Sequence, residues 1–283
     1  MSEPFYVIRI EGTRVSCLGE QLIEILEEIR PLIENLMWYT CHNFATTKVP
    51  HPENYEEFIP IRVGNSDAMI DLCRNVDQFE SAVFLGLPSD YGDSLNHEYF
   101  TKDEEFRDHV NTALEIIAFD TQYYEINSRD FNIIKKLSSG IINNELKIKN
   151  YSLRFRNKDI NSRYEQLVKI LDWVWPFITA AVWYSCDLEE FKSRKQGFEL
   201  KRIGSSCDFM DFSKNIDHCL PCMFFALPLD WDHQSNRKYV TYDELFRNVE
   251  NSILQICAFN PSYFDIETSS YSIMEVISEK INN

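Results

Sequence analysis

One segment of this chain carries residues that could do thiol chemistry, Cys219-Leu220-Pro221-Cys222, directly preceded by His218. Cysteines at this spacing act as redox pairs when they open a helix whose N-terminus lowers the pKa of a thiol. Here the pair runs into an apolar segment, Met223–Leu227, that predicts a buried strand. A zinc site would need two further ligands, and the sequence holds no second pair at this spacing. We therefore expect neither a redox pair nor a metal site, and no cofactor.

Carboxylates at matching positions of the two halves raise the question of acid–base catalysis. They are Asp71 and Asp211, Asp77 and Asp217, Asp90 and Asp230, and Asp103 and Asp243. Most of them suit helix first turns or turns before strands, which are structural roles. Only Asp90 and Asp230 follow a buried strand on a loop, where functional residues concentrate. No histidine recurs and no glycine-rich phosphate loop is present, so the sequence predicts no catalytic residue and a non-enzymatic protein.

The aromatic motif Trp38-Tyr39-x-Cys41 recurs as Trp183-Tyr184-x-Cys186. Such rings could anchor a ligand or a partner. The interpretation we favour is that they lie on a central strand of each half and fill its core.

The two halves align over most of their length, first at an offset of 145 residues and then, beyond an extra loop around His51–Asn54, at 140. Between Arg62 and Ile126 about 24 of 65 gapless positions are identical to those 140 residues later. Because a period of this length is domain-sized, we predict two tandem copies of one module in a pseudo-twofold relation. The predicted bounds are 1–137 for the acidic first copy, 138–150 for a linker and 151–283 for the second copy.

Each copy alternates helices with paired strands, so the predicted fold class is α+β, with each module a mixture of helices and a β-sheet. For the first copy we predict strands at 5–10, 37–42, 58–63, 82–87, 114–119 and 123–127, and helices at 18–36, 68–74 and 131–137. Thr101-x-x-Glu104 and Thr241-x-x-Glu244 are capping boxes that predict a further helix in each copy. Pro31 and Pro176 should end or kink the long helix.

Charge separates the two copies more than any motif does. Of the net charge of −17, residues 1–145 carry −15 (26 acidic, 11 basic) and residues 146–283 carry −2 (19 acidic, 17 basic). The acidic concentration includes Glu20, Glu24, Glu27 and Glu28 on the long helix and Glu53, Glu56 and Glu57 in the extra loop. A surface of this sign favours a basic protein as partner and disfavours direct nucleic-acid binding.

A second candidate surface is the loop after the buried strand. There both copies place an acidic residue beside a large aromatic ring, a combination that protein interfaces favour. The residues are Asp90, Tyr91 and Asp93 in the first copy and Asp230 and Trp231 in the second. A solvated loop with one packed ring explains the pattern equally well.

The compartment is predicted from what the sequence lacks. No secretory leader and no apolar run of membrane-spanning length are found, so we expect a cytoplasmic protein with free thiols and no membrane contact. Self-association into a homo-oligomer is left open.

The strand, loop, capped helix and hairpin at the end of each copy, as in Phe225–Pro228, Thr241–Phe246 and Leu254–Phe259, resemble those of small uncharacterised bacterial proteins. By type, a small acidic α+β protein without catalytic motifs resembles the immunity proteins that neutralise bacterial toxins. The resemblance implies a binding protein that inhibits a basic toxin or, in a phage, a host defence nuclease. The alternatives are an enzyme or small-ligand binder with a site in the cleft between the modules, and a structural, oligomerising protein.

Overall fold

In the computed structural model, the described residues are 5–47, 60–89, 112–141, 145–156, 163–187, 200–214, 222–231, 252–260 and 263–282. The chain divides into two compact units, whose main segments are Phe5–Lys149 and Asn150–Asn283. Each unit combines helices with an antiparallel sheet, which confirms the predicted α+β class. No described helix has both the length and the apolar character needed to cross a membrane.

The first unit contains four helices and six strands among its described residues. In chain order they are β1 (Phe5–Gly12), α1 (Gly19–Glu28), α2 (Arg30–Ile33), β2 (Leu36–Thr47), β3 (Ile61–Gly64), α3 (Ser66–Arg74), β4 (Val76–Pro88), β5 (Leu114–Phe119), β6 (Tyr123–Ser128) and α4 (Phe131–Gly140). The strands lie in the order β3-β2-β4-β5-β6-β1, and all neighbours are antiparallel. The first strand of the unit therefore pairs with its last.

The second unit repeats this order of elements with one long helix in place of α1 and α2. Its elements are β7 (Leu146–Arg156), α5 (Arg163–Ile178), β8 (Ala181–Asp187), β9 (Lys201–Ser205), α6 (Ser206–Ser213), β10 (Cys222–Pro228), β11 (Leu254–Asn260), β12 (Tyr263–Thr268) and α7 (Tyr271–Asn282). The strand order is β7-β12-β11-β10-β8-β9, again antiparallel throughout.

Each sheet has one face that the helices cover, because successive side chains of a strand point to opposite faces. In the first unit this helix-covered face includes Tyr6, whose ring lies 5.1 Å from that of Phe131 on α4. Tyr124 on β6 also points to it and donates a hydrogen bond to the carbonyl of Leu18 (3.0 Å). Leu22, Ile25 and Leu26 of α1 cover this face and are fully buried. Complete burial of such a side chain contributes about 1.5–3 kcal/mol to the stability of the fold.

The two prolines of the long helices act as predicted in different ways. In the first unit α1 ends at Glu28, and Pro31 lies in the first turn of α2, where its missing N–H removes no hydrogen bond. In the second unit Pro176 lies inside α5, which ends two residues later at Ile178.

Both tryptophans of the recurring motif are fully buried on the helix-covered faces, so the predicted core role is confirmed. The indole Nε1 of Trp38 donates to Ser66 Oγ (3.1 Å), and that hydroxyl donates to the carbonyl of Ile33 (2.8 Å). Trp183 and Ser206 form the same chain, which ends on Ile178. The serine thus connects a strand, a helix start and a helix end in each unit.

The segment predicted as a linker is largely regular structure. Ser138, Ser139 and Gly140, which fall in the predicted linker, form the last turn of α4, and β7 begins at Leu146. The hydroxyls of Ser138 and Ser139 donate to carbonyls of the preceding helical turn, which accommodates them in the helix. The two predicted capping boxes, at Thr101 and Thr241, lie outside the described residues.

Candidate functional site

The four acidic residues predicted on the long helix all lie on α1. This helix buries Leu22, Ile25 and Leu26, so the positions between them remain toward solvent. Glu20 and Glu27 are exposed, and Glu24 and Glu28 are half-buried. The structure therefore brings these four residues together on one helix. Glu53, Glu56 and Glu57 lie outside the described residues.

Two of the four carboxylates already have cationic neighbours within the unit. Glu27 receives two hydrogen bonds of 2.9 Å from Arg30, which also contacts Asp67 on α3. Glu28 pairs with Lys136 on α4 (2.9 Å). Because at least one partner of each pair is exposed, solvent screens the attraction and each pair contributes little to stability.

Glu24 lies among like charges. Partial burial, and then the nearby carboxylates of Glu145 and Glu28, raise the pKa of Glu24 above its ordinary value. Like charges raise the pKa of a carboxyl because ionisation adds repulsion, and a cation brought to this place would relieve it. The carboxyls of Glu24, Glu28 and Glu145 thus lie near one another at this part of the α1 surface.

The loop surface predicted after the buried strand is described only in the second unit. Asp230 is exposed there, whereas Trp231 is half-buried and packs edge-on against Tyr184, with ring centroids 5.2 Å apart. Trp231 also adjoins the apolar cluster formed by Tyr184, Phe225 and Leu227. Asp90, Tyr91 and Asp93 lie outside the described residues.

Sequence reasoning missed a buried polar cluster on the sheet face opposite the helix-covered one. In the first unit it consists of Arg9, Glu115, Glu125 and Asn127, which we term the first polar cluster. Arg9 Nε donates to Glu125 Oε2 (2.8 Å), and the Arg9 guanidinium also lies 5.3 Å from the centre of the Tyr123 ring. Both glutamates are almost fully buried, and burying a charge is costly unless it is paired.

The second unit holds a corresponding cluster of Arg154, Gln255, Asp265 and Glu267, the second polar cluster. Arg154 binds Asp265 through two parallel hydrogen bonds of 2.7 Å, from Nε and Nη2. In each unit the arginine comes from the first strand and its carboxylate from the last. A sequence signal existed, because Arg9 and Arg154, and likewise Glu125 and Asp265, occupy matching positions of predicted strands.

Three buried thiols, those of Cys17, Cys73 and Cys257, are not poised for chemistry. Burial raises the pKa of Cys17 and of Cys73 to about 12, and it also raises the pKa of Cys257 far above its ordinary value. They therefore stay protonated at neutral pH and are poor nucleophiles. Of the Cys-x-x-Cys pair, Cys222 is buried on β10, and Cys219 lies outside the described residues.

In the described part of the chain, no group of three or more His, Cys, Asp or Glu side chains is arranged to hold a metal ion. No protein-family model, no curated protein and no solved structure matches the chain.

Proposed function

We propose that this chain is a non-enzymatic cytoplasmic protein that binds and inhibits a basic protein, of the toxin or defence-nuclease type, through the acidic surface of its first unit. The observation that carries the proposal is that four acidic residues, Glu20, Glu24, Glu27 and Glu28, lie together on one helix, α1. A basic side chain of a partner would be stabilised at this point, and inhibition would follow from steric blocking.

The net charges of the two units support the proposal that the partner binds the first unit. Counted by the structural division, Phe5–Lys149 carries 25 acidic and 13 basic residues, a net charge of −12. Asn150–Asn283 carries 19 acidic and 15 basic residues, a net charge of −4. The difference is smaller than the sequence halves suggested, because Lys147 and Lys149 belong to the first unit. Most of the net negative charge still lies in the first of two units that have the same order of elements.

We also propose that the two units arose by tandem duplication. The same strand order, the repeated Trp–Ser–carbonyl chain and the repeated arginine–carboxylate pair support this origin. On this proposal the features that the units share maintain the fold, and the net charge in which they differ serves partner binding.

Affinity capture with the full chain as bait, from the cells that naturally produce it, tests the proposed function. The decisive variant is Glu20→Gln/Glu24→Gln/Glu27→Gln, which removes three charges from α1 and leaves the Glu28–Lys136 pair intact. Glu165→Gln/Asp172→Asn/Glu279→Gln removes three charges from exposed positions of the second unit and is the matched control. We expect the wild type and the control to capture basic proteins, and the α1 variant to capture less of them. Equal capture by all three baits would refute the proposal.

A further inference from the structure

Phe119, the last residue of β5, exposes its ring on the sheet face opposite the helix-covered one. The residue is 43% exposed and is the aromatic member of the exposed large hydrophobic residues in the described part of the chain. Half-buried Ile117 lies two positions earlier on the same face, opposite Val83 of β4. An apolar strip of this face therefore ends in an exposed ring.

The Phe119 ring is the outer member of a stack. It lies against the ring of Tyr123 on β6, with the centroids 5.2 Å apart and the planes inclined by 11°. The guanidinium of Arg9 on β1 lies 5.3 Å from the centre of the Tyr123 ring. Because β6 lies between β5 and β1, Tyr123 separates Phe119 from Arg9. The order across this face is therefore guanidinium, ring and ring, and the last ring is exposed.

The turn after Phe119 fixes the position of the ring. Asp120 and Thr121 have φ angles of 44° and 57°, and the amide of Gln122 donates to the carbonyl of Phe119 (2.8 Å). Positive φ at both central residues is typical of the tight two-residue turns of β-hairpins. The amide of Thr121 also donates to the carbonyl of Glu80 on β4 (3.1 Å). A ring held in place in this way loses little conformational entropy when a partner binds it.

The charge around the ring favours a cation. Asp120, which follows Phe119 directly, is exposed, and the unit to which both belong carries a net charge of −12. A negatively charged unit attracts positive groups. The face of an aromatic ring also attracts a cation, because the electron density above the ring is negative. The chemistry around Phe119 therefore suits a positively charged side chain.

The same unit already contains the arrangement that such a side chain would form. Arg9 lies beside the ring of Tyr123 and donates from Nε to the carboxylate of Glu125 (2.8 Å). A guanidinium is planar, so it stacks on a ring and forms parallel hydrogen bonds to a carboxylate, whereas the ammonium of lysine is a compact point charge. An arginine placed on Phe119 and paired with Asp120 would repeat this combination of ring, guanidinium and carboxylate at the surface.

We propose that Phe119 and Asp120 form a contact site for an arginine side chain of the basic partner, which stacks on the exposed ring and pairs with the carboxylate. The proposal rests on the proposed function, since it takes the partner to be a basic protein. It adds to the acidic positions of α1 a contact at the end of the sheet. Interfaces are enriched in both aromatic residues and arginine, and a few such contacts carry most of the binding energy.

Titration of the full chain with a capped Gly-Arg-Gly-Arg-Gly peptide, followed by NMR, tests the arginine site without the partner. We expect saturable shifts of the amide signals of Asp120, Thr121 and Gln122. Phe119→Leu, which keeps an apolar side chain but has no ring, should bind the peptide at this turn about two- to fivefold more weakly. Phe119→Tyr keeps the ring and should bind like the wild type, and so should Leu229→Ala, the control at an exposed apolar position of the second unit. The corresponding lysine peptide should bind the turn more weakly than the arginine peptide.

Unchanged affinity at the turn in Phe119→Leu, or shifts confined to other parts of the chain, would overturn the proposal. Equal affinity of the arginine and lysine peptides for the turn would also overturn it, and that comparison needs no variant. In the affinity capture, Phe119→Leu should recover less basic protein than the wild type, and equal recovery would count against the site. Failure of the proposed function is a separate result, in which the wild type captures no basic protein although the arginine peptide binds at Phe119.

Discussion

At the scale of single residues, one serine in each unit, Ser66 or Ser206, joins the strand that carries the buried tryptophan to the neighbouring helices. Ser66 and Ser206 each accept from a buried indole N–H and donate to the carbonyl of a helix end. Neither hydroxyl is exposed to water, so its removal leaves two buried polar groups without that partner. The cost of removing either hydroxyl therefore comes from the buried indole N–H and the buried carbonyl that lose their hydrogen-bond partner.

Ser206→Ala should lower the free energy of unfolding by about 1–3 kcal/mol, the cost of a buried group left without its hydrogen bond. Ser66→Ala should do the same in the first unit. Urea unfolding of the full chain measures both. Ser139→Ala, at an exposed position of α4, is the control and should change stability by less than about 0.5 kcal/mol. An equal loss in all three variants would contradict this role for the serines.

Replacing Glu24 and replacing Glu20 should change thermal stability at pH 7 in opposite directions. Because the folded-state pKa of Glu24 is raised, its contribution to stability is largest below the unfolded value and is lost as pH rises through the folded one. Glu24→Gln should therefore melt at a higher temperature than the wild type at pH 7 and at a similar temperature at pH 3. Glu20→Gln should melt lower at pH 7, because Glu20 lies in the first turn and favours the helix dipole. Thermal melts at the two pH values distinguish these outcomes, and a lower melting temperature for Glu24→Gln at pH 7 would count against the like-charge surface.

At this scale the sequence revealed the core but not the polar clusters. Trp38 and Trp183 could be assigned to the core because large rings on a predicted central strand are normally buried. Arg9 and Glu125 are 116 positions apart, and their contact depends on β1 pairing with β6. Local sequence patterns specify a strand but not its neighbour, so the repeated positions could mark these residues but could not predict their contact.

At the scale of elements, a glycine lies near the end of the strand that leads into a helix at the corresponding place in both units: β3 leads into α3, and β9 leads into α6. Gly64 and Gly204 have φ angles of 132° and 140°, which residues other than glycine rarely adopt. A Cβ at Gly64 would lie 2.8 Å from Ala68 Cβ, and one at Gly204 would lie 2.4 Å from Asp208 Oδ2. Glycine therefore fits this position, whereas a residue with a Cβ would adopt an unfavourable backbone conformation and would lie too close to a neighbouring side chain.

Gly64→Ala and Gly204→Ala should each destabilise the full chain by more than about 1 kcal/mol, because alanine must adopt a strained backbone and displace a neighbour. Denaturant unfolding measures the loss. Ser89→Ala, at an exposed position after β4, serves as the control. A neutral effect at both glycines would mean that the turn relaxes to another conformation.

Most element types followed from the sequence, and the errors lie at element ends. The hairpin strands Leu114–Phe119 and Tyr123–Ser128 match the prediction because alternating apolar residues flank a short polar turn. The helix predicted over 18–36 is instead two helices, because α1 ends at Glu28, and α2, which holds Pro31 in its first turn, ends at Ile33. Ser138–Gly140 were assigned to a linker by composition, although apolar packing of Ile133, Ile134 and Leu137 carries α4 through them.

At the scale of the whole molecule, the two units share their strand order and differ in charge. The strand order could not be derived from the sequence, because it requires the pairing of β1 with β6 across more than a hundred residues. The charge difference was visible in composition alone, and the structural division reduced it to −12 against −4. Among the described residues, α1 is where the predicted acidic positions come together.

The most direct test of the acidic-surface proposal is a binding titration of the most enriched basic protein from the affinity capture, at low and at physiological salt. The account predicts that Glu20→Gln/Glu24→Gln/Glu27→Gln binds between about threefold and a hundredfold more weakly than the wild type at low salt. It also predicts that the difference narrows as salt screens the charges, and that the second-unit control variant binds like the wild type. Wild-type affinity for the α1 variant, or equal weakening in the control, would contradict it.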